Sequence, residues 1–415
     1  MTRRRIVITG LGTINPLGDN VATFFDNLDK GVSGAAPITL FDATLFKTRF
    51  ACQVPHFDPS NYGFDRKEAR KTDRFALFST IAADQAVADS GLDFESEDRD
   101  RIGVIVASGV GGLETMYQEI QAYTPGEAPR FSPLLAPKLI TNIASGLISI
   151  KYGLHGPGYA VSSACASAAH ACITAALFIR SGISDIIITG ASEAPITPPG
   201  IGGFNSMHAL SVNNDEYASA SRPFDATRDG FVLGEGAGIL VFEEYEHAVR
   251  RGAKIYAELA GFGLSCDGYH LTAPDPTGAY AALSMSSALK DAGLTPADVD
   301  YINVHGTSTR LGDVAELNAI KTVMGDAAYK TSISSTKSMT GHLLGSAGAI
   351  EALACIHAIG SGIIPPTINF ANEDPEIDYK LDLTLNKPRS RKVGVAMSNN
   401  FGFGGQNATL VFKAI

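Results

Sequence analysis

The chain has 415 residues, 45% hydrophobic and 18% charged, which is enough for a large core built as two domains or two halves. A net charge of −10 disfavours nucleic acid as a general partner. No run approaches the roughly 18 uninterrupted apolar residues of a membrane span, and five scattered cysteines without CxxC spacing argue against a disulfide framework and a zinc site.

In chain order, "MTRRRIVITGLGTINPLG" opens with basic residues before an apolar run too short for a signal segment, so a cytoplasmic protein is expected. Its "RRIVITG" reads as the first buried strand, and "GLGTIN" lacks the third glycine of a dinucleotide fingerprint. Between Arg66 and Arg74, "RKEARKTDR" sets five basic residues against two acidic ones, a local +3 on a predicted helix. Taken alone, such a run reads as a solvated face; its functional alternative is a docking patch for an acidic partner.

"RIGVIVASG", "DIIITGASE", "YINVHGT" and "VGVAMSNN" complete a set of buried, mainly parallel strands with alanine-rich helices between them, the layering of an α/β fold. "DGFVLGEGAG" (229–238) is glycine-rich but has no phosphate-loop lysine, and reads as a structural turn. The chain also repeats itself weakly. "QAVADSGLD" (85–93) resembles "SALKDAGLT" (287–295), "IVASGVGG" (105–112) resembles "INVHGTST" (302–309), and "IRSGIS" (179–184) resembles "IGSGII" (359–364). The shared order predicts two related halves joined near 245–258, with equivalent loops meeting in the middle.

Those loops hold the chemistry. "VSSACASAAHACITAALFIRSG" places Cys165 among small residues at a predicted helix start, where the helix dipole and free N–H groups lower a thiol pKa. A buried core cysteine is the alternative. Cys172 lies two turns further on, about 10 Å along a helix, too far for a disulfide. "VHGTSTRLGDVAE" puts His305 at a strand end before Thr307 and Thr309. "SSTKSMTGHLLGSAGA" puts His342 in a glycine-rich turn, five residues after Lys337. "SNNFGFGGQN" interleaves Phe401 and Phe403 with glycines. It reads either as a hairpin with core aromatics or as a mobile loop that aims a backbone N–H at a substrate oxygen. Nothing in the local spacing calls for a metal.

"SSACAS", "VHGTST", "KSMTGHLLGSAGA" and "NFGFGG" together resemble the β-ketoacyl-acyl carrier protein synthases of bacterial type II fatty acid synthesis, most closely the long-chain synthase II branch. The similarity runs from "RIVITGLGTINPLG" to "LVFKAI". It implies the thiolase-like αβαβα layered fold of two pseudo-duplicated halves, residues 1–250 with the cysteine and 251–415 with both histidines, and a homodimer. It also implies a decarboxylative condensation of an acyl chain on Cys165 with malonyl-acyl carrier protein. The backbone N–H groups of Cys165 and Phe403 are then the oxyanion hole, and His305 and His342 donate hydrogen bonds to the developing enolate. On this reading the helix start, not a tightly paired base, activates Cys165.

The same resemblance implies that Lys337 supports the site electrostatically with Glu351 as its partner. Thr272, Thr307 and Thr309 contact the pantetheine arm, Phe401 belongs to the substrate site, and Phe403 gates the acyl pocket. Val110 lines that pocket. Lys67, Arg70 and Lys71, extended by Arg130, become the docking surface for the acidic acyl carrier protein. No cofactor is expected to be bound, the substrates arriving on the 4′-phosphopantetheine arm, and neither membrane nor nucleic acid is an expected partner. Three positions depart from the family pattern: Val110, where isoleucine is usual, His208, where a docking arginine is common, and Gln406 in "GGQN".

A thiolase needs a second reactive cysteine near the C-terminus, and a chalcone-synthase-like enzyme needs Cys-His-Asn; neither pattern is present. A chain-length-factor-like partner subunit lacks the nucleophile, and a redox sensor needs a resolving cysteine near Cys165. A polyketide or aryl-polyene ketosynthase keeps the same three residues and stays open as an alternative.

Overall fold

The computed structural model describes residues 3–415; Met1 and Thr2 lie outside the described residues. Ten strands form the main sheet: β1 Ile6–Ile14, β2 Ile102–Ala107, β3 Gly158–Tyr159, β4 Ile186–Glu193, β5 Gly236–Glu244, β6 Ala257–Cys266, β7 Tyr301–Asn303, β8 Ser332–Ser334, β9 Val395–Gly402 and β10 Gln406–Lys413. From the centre outward the first half runs β1-β5-β4-β2-β3 and the second β6-β10-β9-β7-β8. Each strand therefore has a counterpart five places later. The pairing directions repeat as well: β2 is parallel to β3 and β4, and β7 is parallel to β8 and β9. All other contacts are antiparallel, including the short β1–β6 seam that joins the halves.

Of the five strands expected to be mainly parallel, β2, β4, β7 and β9 do pair in parallel, and β1 is the exception. β1 is antiparallel to both neighbours, and β5, β6 and β10 were not legible as strands. A strand covered on both faces reads as one apolar run whichever way it points.

Helices α1 Arg74–Ser90, α2 Ile143–Tyr152, α3 Ser167–Arg180, α4 Ala279–Ala292, α5 Arg310–Met324 and α6 Ala347–Ser361 complete the layers. The alanine-rich α3 and α6 share one core with residues of both half-sheets, which makes them the central layer. α1 and α2 cover one outer face, and α4 and α5 the other, each over its own core. This is the five-layered αβαβα arrangement. The three internal sequence matches fall on equivalent places: the ends of α1 and α4, the strand ends of β2 and β7, and the ends of α3 and α6. Left-handed glycines stop these helices at Gly91, Gly293, Gly182 and Gly362.

"GLG" at 10–12 is explained by close approach rather than by nucleotide binding. A Cβ on Gly12 would lie 1.9 Å from the Ala82 carbonyl of α1, and one on Gly263 of β6 would lie 1.9 Å from the Ser284 carbonyl of α4. Each half thus lowers a helix onto its first strand through a bare backbone. The stretch Leu344–Ser361 is long and apolar enough to cross a membrane, but 78% of it is buried inside the protein as the central layer. All five cysteines are free.

Candidate active site

Between β3 and α3 the chain makes a sharp elbow. Ala164 takes a left-handed φ of 49°, unusual for a residue with a Cβ. The elbow is held by the Ser163 N–H donating to Ser167 Oγ (2.8 Å) and by a 2.6 Å contact between Ser163 Oγ and His170 Nδ1. Cys165 follows at the entrance to α3 and is 6% exposed. From the second half, His305 leaves the end of β7, and its N–H and that of Gly306 both donate to the buried carboxylate of Glu316, at 2.9 and 2.8 Å. His342 follows Gly341, whose φ of 69° turns the chain, and its own N–H donates to the Val232 carbonyl at 2.7 Å.

These elements converge. His342 Nε2 lies 3.0 Å from Cys165 Sγ, and the two imidazoles meet edge to face with centroids 5.3 Å apart. The donor atoms of Cys165, His305 and His342 all lie within 4.8 Å of one another. The doubled order of elements predicted that these loops meet in the middle, and they do. Behind them Lys337 is buried against Glu351, which also accepts from Asn400 Nδ2. Lys337 and Glu351 do not line the cavity, but the Lys337 charge acts on Cys165, His305 and His342.

Burial and the nearby Lys337 charge hold both imidazoles well below the ordinary histidine range, so both are neutral at pH 7. The Cys165 thiol departs from expectation. Burial pushes it up to about 12, against the opposing pull of Lys337 and of a hydrogen bond from the Phe403 backbone N–H. A neutral imidazole 3.0 Å away is in position to take its proton, as in other base-assisted nucleophiles.

A cavity of about 570 Å³ is lined by Cys165, His305 and His342 and also by Val110, Thr272, Thr307, Thr309, Phe401 and Phe403. Nine residues singled out in the sequence therefore share one wall. Phe401 sits 5.8 Å from the His305 ring, centroid to centroid. His208 lines the same cavity, at a left-handed φ of 53°. Gln406, the first residue of β10, holds its amide beside Gly404.

The arrangement offers a thiol, a proton acceptor, one backbone N–H donor at the sulfur and two neutral imidazoles, which is a set for acyl transfer and for holding an enolate. The family model described as "Beta-ketoacyl synthase, N-terminal domain" matches residues 3–248, and "Beta-ketoacyl synthase, C-terminal domain" matches 256–371. The chain belongs to the β-ketoacyl synthase family.

The synthase is 48% identical over 415 residues to "3-oxoacyl-[acyl-carrier-protein] synthase 2" of Coxiella burnetii (strain RSA 493 / Nine Mile phase I), all of both chains being covered. It is 46% identical over 413 residues to the protein of the same name from Synechocystis sp. (strain ATCC 27184 / PCC 6803 / Kazusa), covering 100% of this chain and 99% of the other. Among solved structures, "AntDE:AntF (apo): type II PKS acyl-carrier protein in complex with its ketosynthase bound to the hexaketide" matches with a TM-score of 0.92. It is 36% identical, and the match covers 100% of each chain. The thiolase-like fold expected for this family is the fold observed.

The four docking candidates of the synthase lie apart from the cavity lining. Lys67, Arg70 and Lys71 are exposed on the short helix Arg66–Lys71, and Arg130 is exposed on the loop after Leu113–Ala122. Arg74, counted in the local +3, is not part of this patch. It binds Glu235 at 2.6 Å and lies over the rings of Phe57 and Phe78. The exposed charges are thus Arg66, Lys67, Arg70 and Lys71 against Glu68.

Glu316, Asp313 and Glu193 escaped the reading of the sequence. Glu316 and Asp313 are one turn apart in "DVAE" on a helix, both buried. Glu316, pushed up to about 7 by burial, anchors the His305 turn, and Asp313 accepts from the Phe224 and Ser308 N–H groups. The available signal was a carboxylate pair on the side of a helix that carries its apolar residues.

Val110 is valine in a wall that admits the acyl chain on this reading. Val110→Phe adds a ring to a cavity of about 570 Å³, so the preferred primer is expected to shorten, with long-chain loading falling by about tenfold relative to short chains. Loading rates across a primer series measure this. An unchanged preference would remove Val110 from the acyl route.

Proposed function

We propose that the chain condenses an acyl group with malonyl-acyl carrier protein to give a 3-oxoacyl-acyl carrier protein and CO₂, the elongating step of fatty acid synthesis. The observation that carries this is the convergence of Cys165, His305 and His342, with Sγ and Nε2 at 3.0 Å, inside one substrate-sized cavity.

In the first half-reaction Cys165 Sγ attacks the thioester carbonyl of acyl-carrier protein as its proton passes to His342 Nε2. The oxygen takes up charge facing the N–H groups of Cys165 and Phe403. The pantetheine thiolate leaves and receives that proton, so acyl-Cys165 and carrier thiol result. In the second, His342 exchanges its Nδ1 proton for one at Nε2 through water, and malonyl-carrier protein loses CO₂ while neutral His305 and His342 donate to the enolate oxygen. Its α-carbon then bonds to the acyl carbonyl, the C–S bond to Cys165 breaks, and the thiolate takes a proton from water. Neutral donors suit this step because charge develops on the substrate, not on the ring. Lys337, held by Glu351, adds positive potential behind both steps. Thr272, Thr307, Thr309 and Phe401 line the path of the pantetheine arm, and Phe403 closes it toward the acyl end.

The two units are taken as 1–250, supplying the nucleophile, and 251–415, supplying both histidines, so each turnover uses both. A homodimer fits the free edge of β3, where Gly158 and Tyr159 are exposed and pair on one side with β2. A cytoplasmic setting fits five unpaired cysteines. A polyketide ketosynthase would keep the same three residues; 48% identity over the full length of a synthase 2, against 36% for the polyketide enzyme, favours fatty acid elongation.

The test is intact-protein mass spectrometry with acyl-carrier protein thioesters of graded length, followed by malonyl-carrier protein. Acyl adducts that discharge to a product two carbons longer are expected. Absence of adducts from every primer would remove the assignment.

Docking by Lys67, Arg70 and Lys71, with Arg130 beside them, carries its own prediction. Replacing the first three with glutamate is expected to raise KM for carrier-bound primers about tenfold or more and to flatten its salt dependence. KM for free pantetheine thioesters should not move, and a parallel rise there would place the effect in the site.

A further inference from the structure

Glu193 ends β4 with its side chain wholly buried, and the reaction written above does not use it. Its carboxylate is held by neutral donors from two loops. Oε1 accepts from Ser108 Oγ (2.8 Å) and from the Val110 N–H (3.2 Å). Oε2 accepts from the Gly109 N–H (2.8 Å) and from the Gly345 N–H (3.0 Å). Ser108 Oγ in turn accepts from the Gly111 N–H at 2.9 Å, which extends the grip along the first loop. A charge taken out of water without such bonds costs several kcal/mol, so both loops are drawn to it.

The two loops come from different halves. Residues 108–111 follow β2 and carry Val110 on the cavity wall. Gly345 follows His342 by three residues, and Leu344 between them lines the same cavity at a left-handed φ of 47°. The cradle is cut to the carboxylate. A Cβ on Gly109 would lie 2.8 Å from Glu193 Oε2, and one on Gly345 would lie 2.6 Å from that oxygen and 2.4 Å from the Gly109 nitrogen.

We infer that Glu193 is a positioning residue that clamps the Val110 loop to the His342 turn and so sets primer selectivity and enolate stabilisation together. This rests on the condensing function proposed above. Glutamine has nearly the same volume but only one acceptor oxygen, and its NH₂ faces the Gly109 and Gly345 donors or the Val110 and Ser108 donors. In either orientation one side of the clamp opens.

Glu193→Gln is compared with wild type, with Ser108→Ala, which removes one donor, and with Ser192→Ala, a buried neighbour outside the clamp. Each variant is checked by thermal melting. Acyl loading is followed by intact mass over short, medium and long carrier-bound primers, and CO₂ release is followed from malonyl-carrier protein. In Glu193→Gln the long-to-short loading ratio should shift at least about threefold and decarboxylation should fall about tenfold, since small misplacements of reacting groups cost rates of that order. Ser108→Ala should move the ratio in the same direction by less, and Ser192→Ala should leave both unchanged.

A folded Glu193→Gln with an unchanged ratio, or with one uniform loss across primers, would overturn the clamp. Should that variant not fold, Ser108→Ala decides: a shifted ratio supports the clamp and an unshifted one overturns it. Wild type that loads no primer would overturn the condensing function and the clamp with it, whereas normal wild-type loading beside an unaltered Glu193→Gln removes the clamp alone.

Discussion

Cys165→Ala is expected to form no acyl-enzyme with any primer and to lose condensation by about 10⁴-fold or more, the scale seen when an acyl-transfer nucleophile is removed. The loss should be confined to the first half-reaction. The two imidazoles do not depend on the sulfur for their places: the His305 turn is fixed by Glu316, and His342 by the Val232 carbonyl. The alanine variant should therefore still release CO₂ from malonyl-carrier protein. Loading measured by intact mass, beside CO₂ release, separates the two activities, and loss of both together would mean a disrupted site.

The wild-type thiol supplies a companion measurement. With the thiol pushed up to about 12, the thiolate is a trace species at pH 7 and grows tenfold with each unit of rising pH. Iodoacetamide labelling of Cys165 should climb about tenfold per unit from pH 6 to 10 without levelling off. A plateau near pH 7 would mean a lowered thiol, as the helix-start argument alone predicts.

Removing either histidine is the second large effect. His305→Ala and His342→Ala should each slow decarboxylation about 10²- to 10³-fold, the usual cost of one oxyanion donor. They differ in the first half-reaction. His342 Nε2 is 3.0 Å from Sγ, so His342→Ala should slow acyl loading as well, while His305→Ala should load nearly as wild type. The double variant should lose much less than the product of the two single losses, because both donors serve one oxygen. Equal loading rates in the two single variants would place the proton acceptor elsewhere.

Much of this was legible in the sequence, and the reason is locality. Apolar runs bounded by turns marked β1, β2, β4, β7 and β9, and alanine-rich stretches ending at glycine marked the helices between them. The internal matches were legible because equivalent elements of the two halves have equivalent caps: "DSGL" and "DAGL" each stop a helix with a left-handed glycine. Cys165, His305 and His342 stood out because each follows or precedes a cluster of small residues where the backbone turns sharply. β6 was not legible, since its alternating pattern shares a run with loop residues, and Arg74 was misread because its partner Glu235 is 161 residues away.

The sequence by itself determined the α/β class and the doubled order of elements, and it singled out Cys165, His305 and His342, because each is announced locally by periodicity, capping or glycine. Only the tertiary structure decided what those residues do to one another. Cys165 and His342 are 177 positions apart and meet at 3.0 Å, because two half-sheets packed about α3 and α6 bring equivalent loops to one centre. The thiol that a helix start alone would acidify is instead pushed up, since desolvation depends on every layer closed around it. The carboxylates of Glu193 and Glu316 acquire their partners by the same packing, which no local pattern encodes.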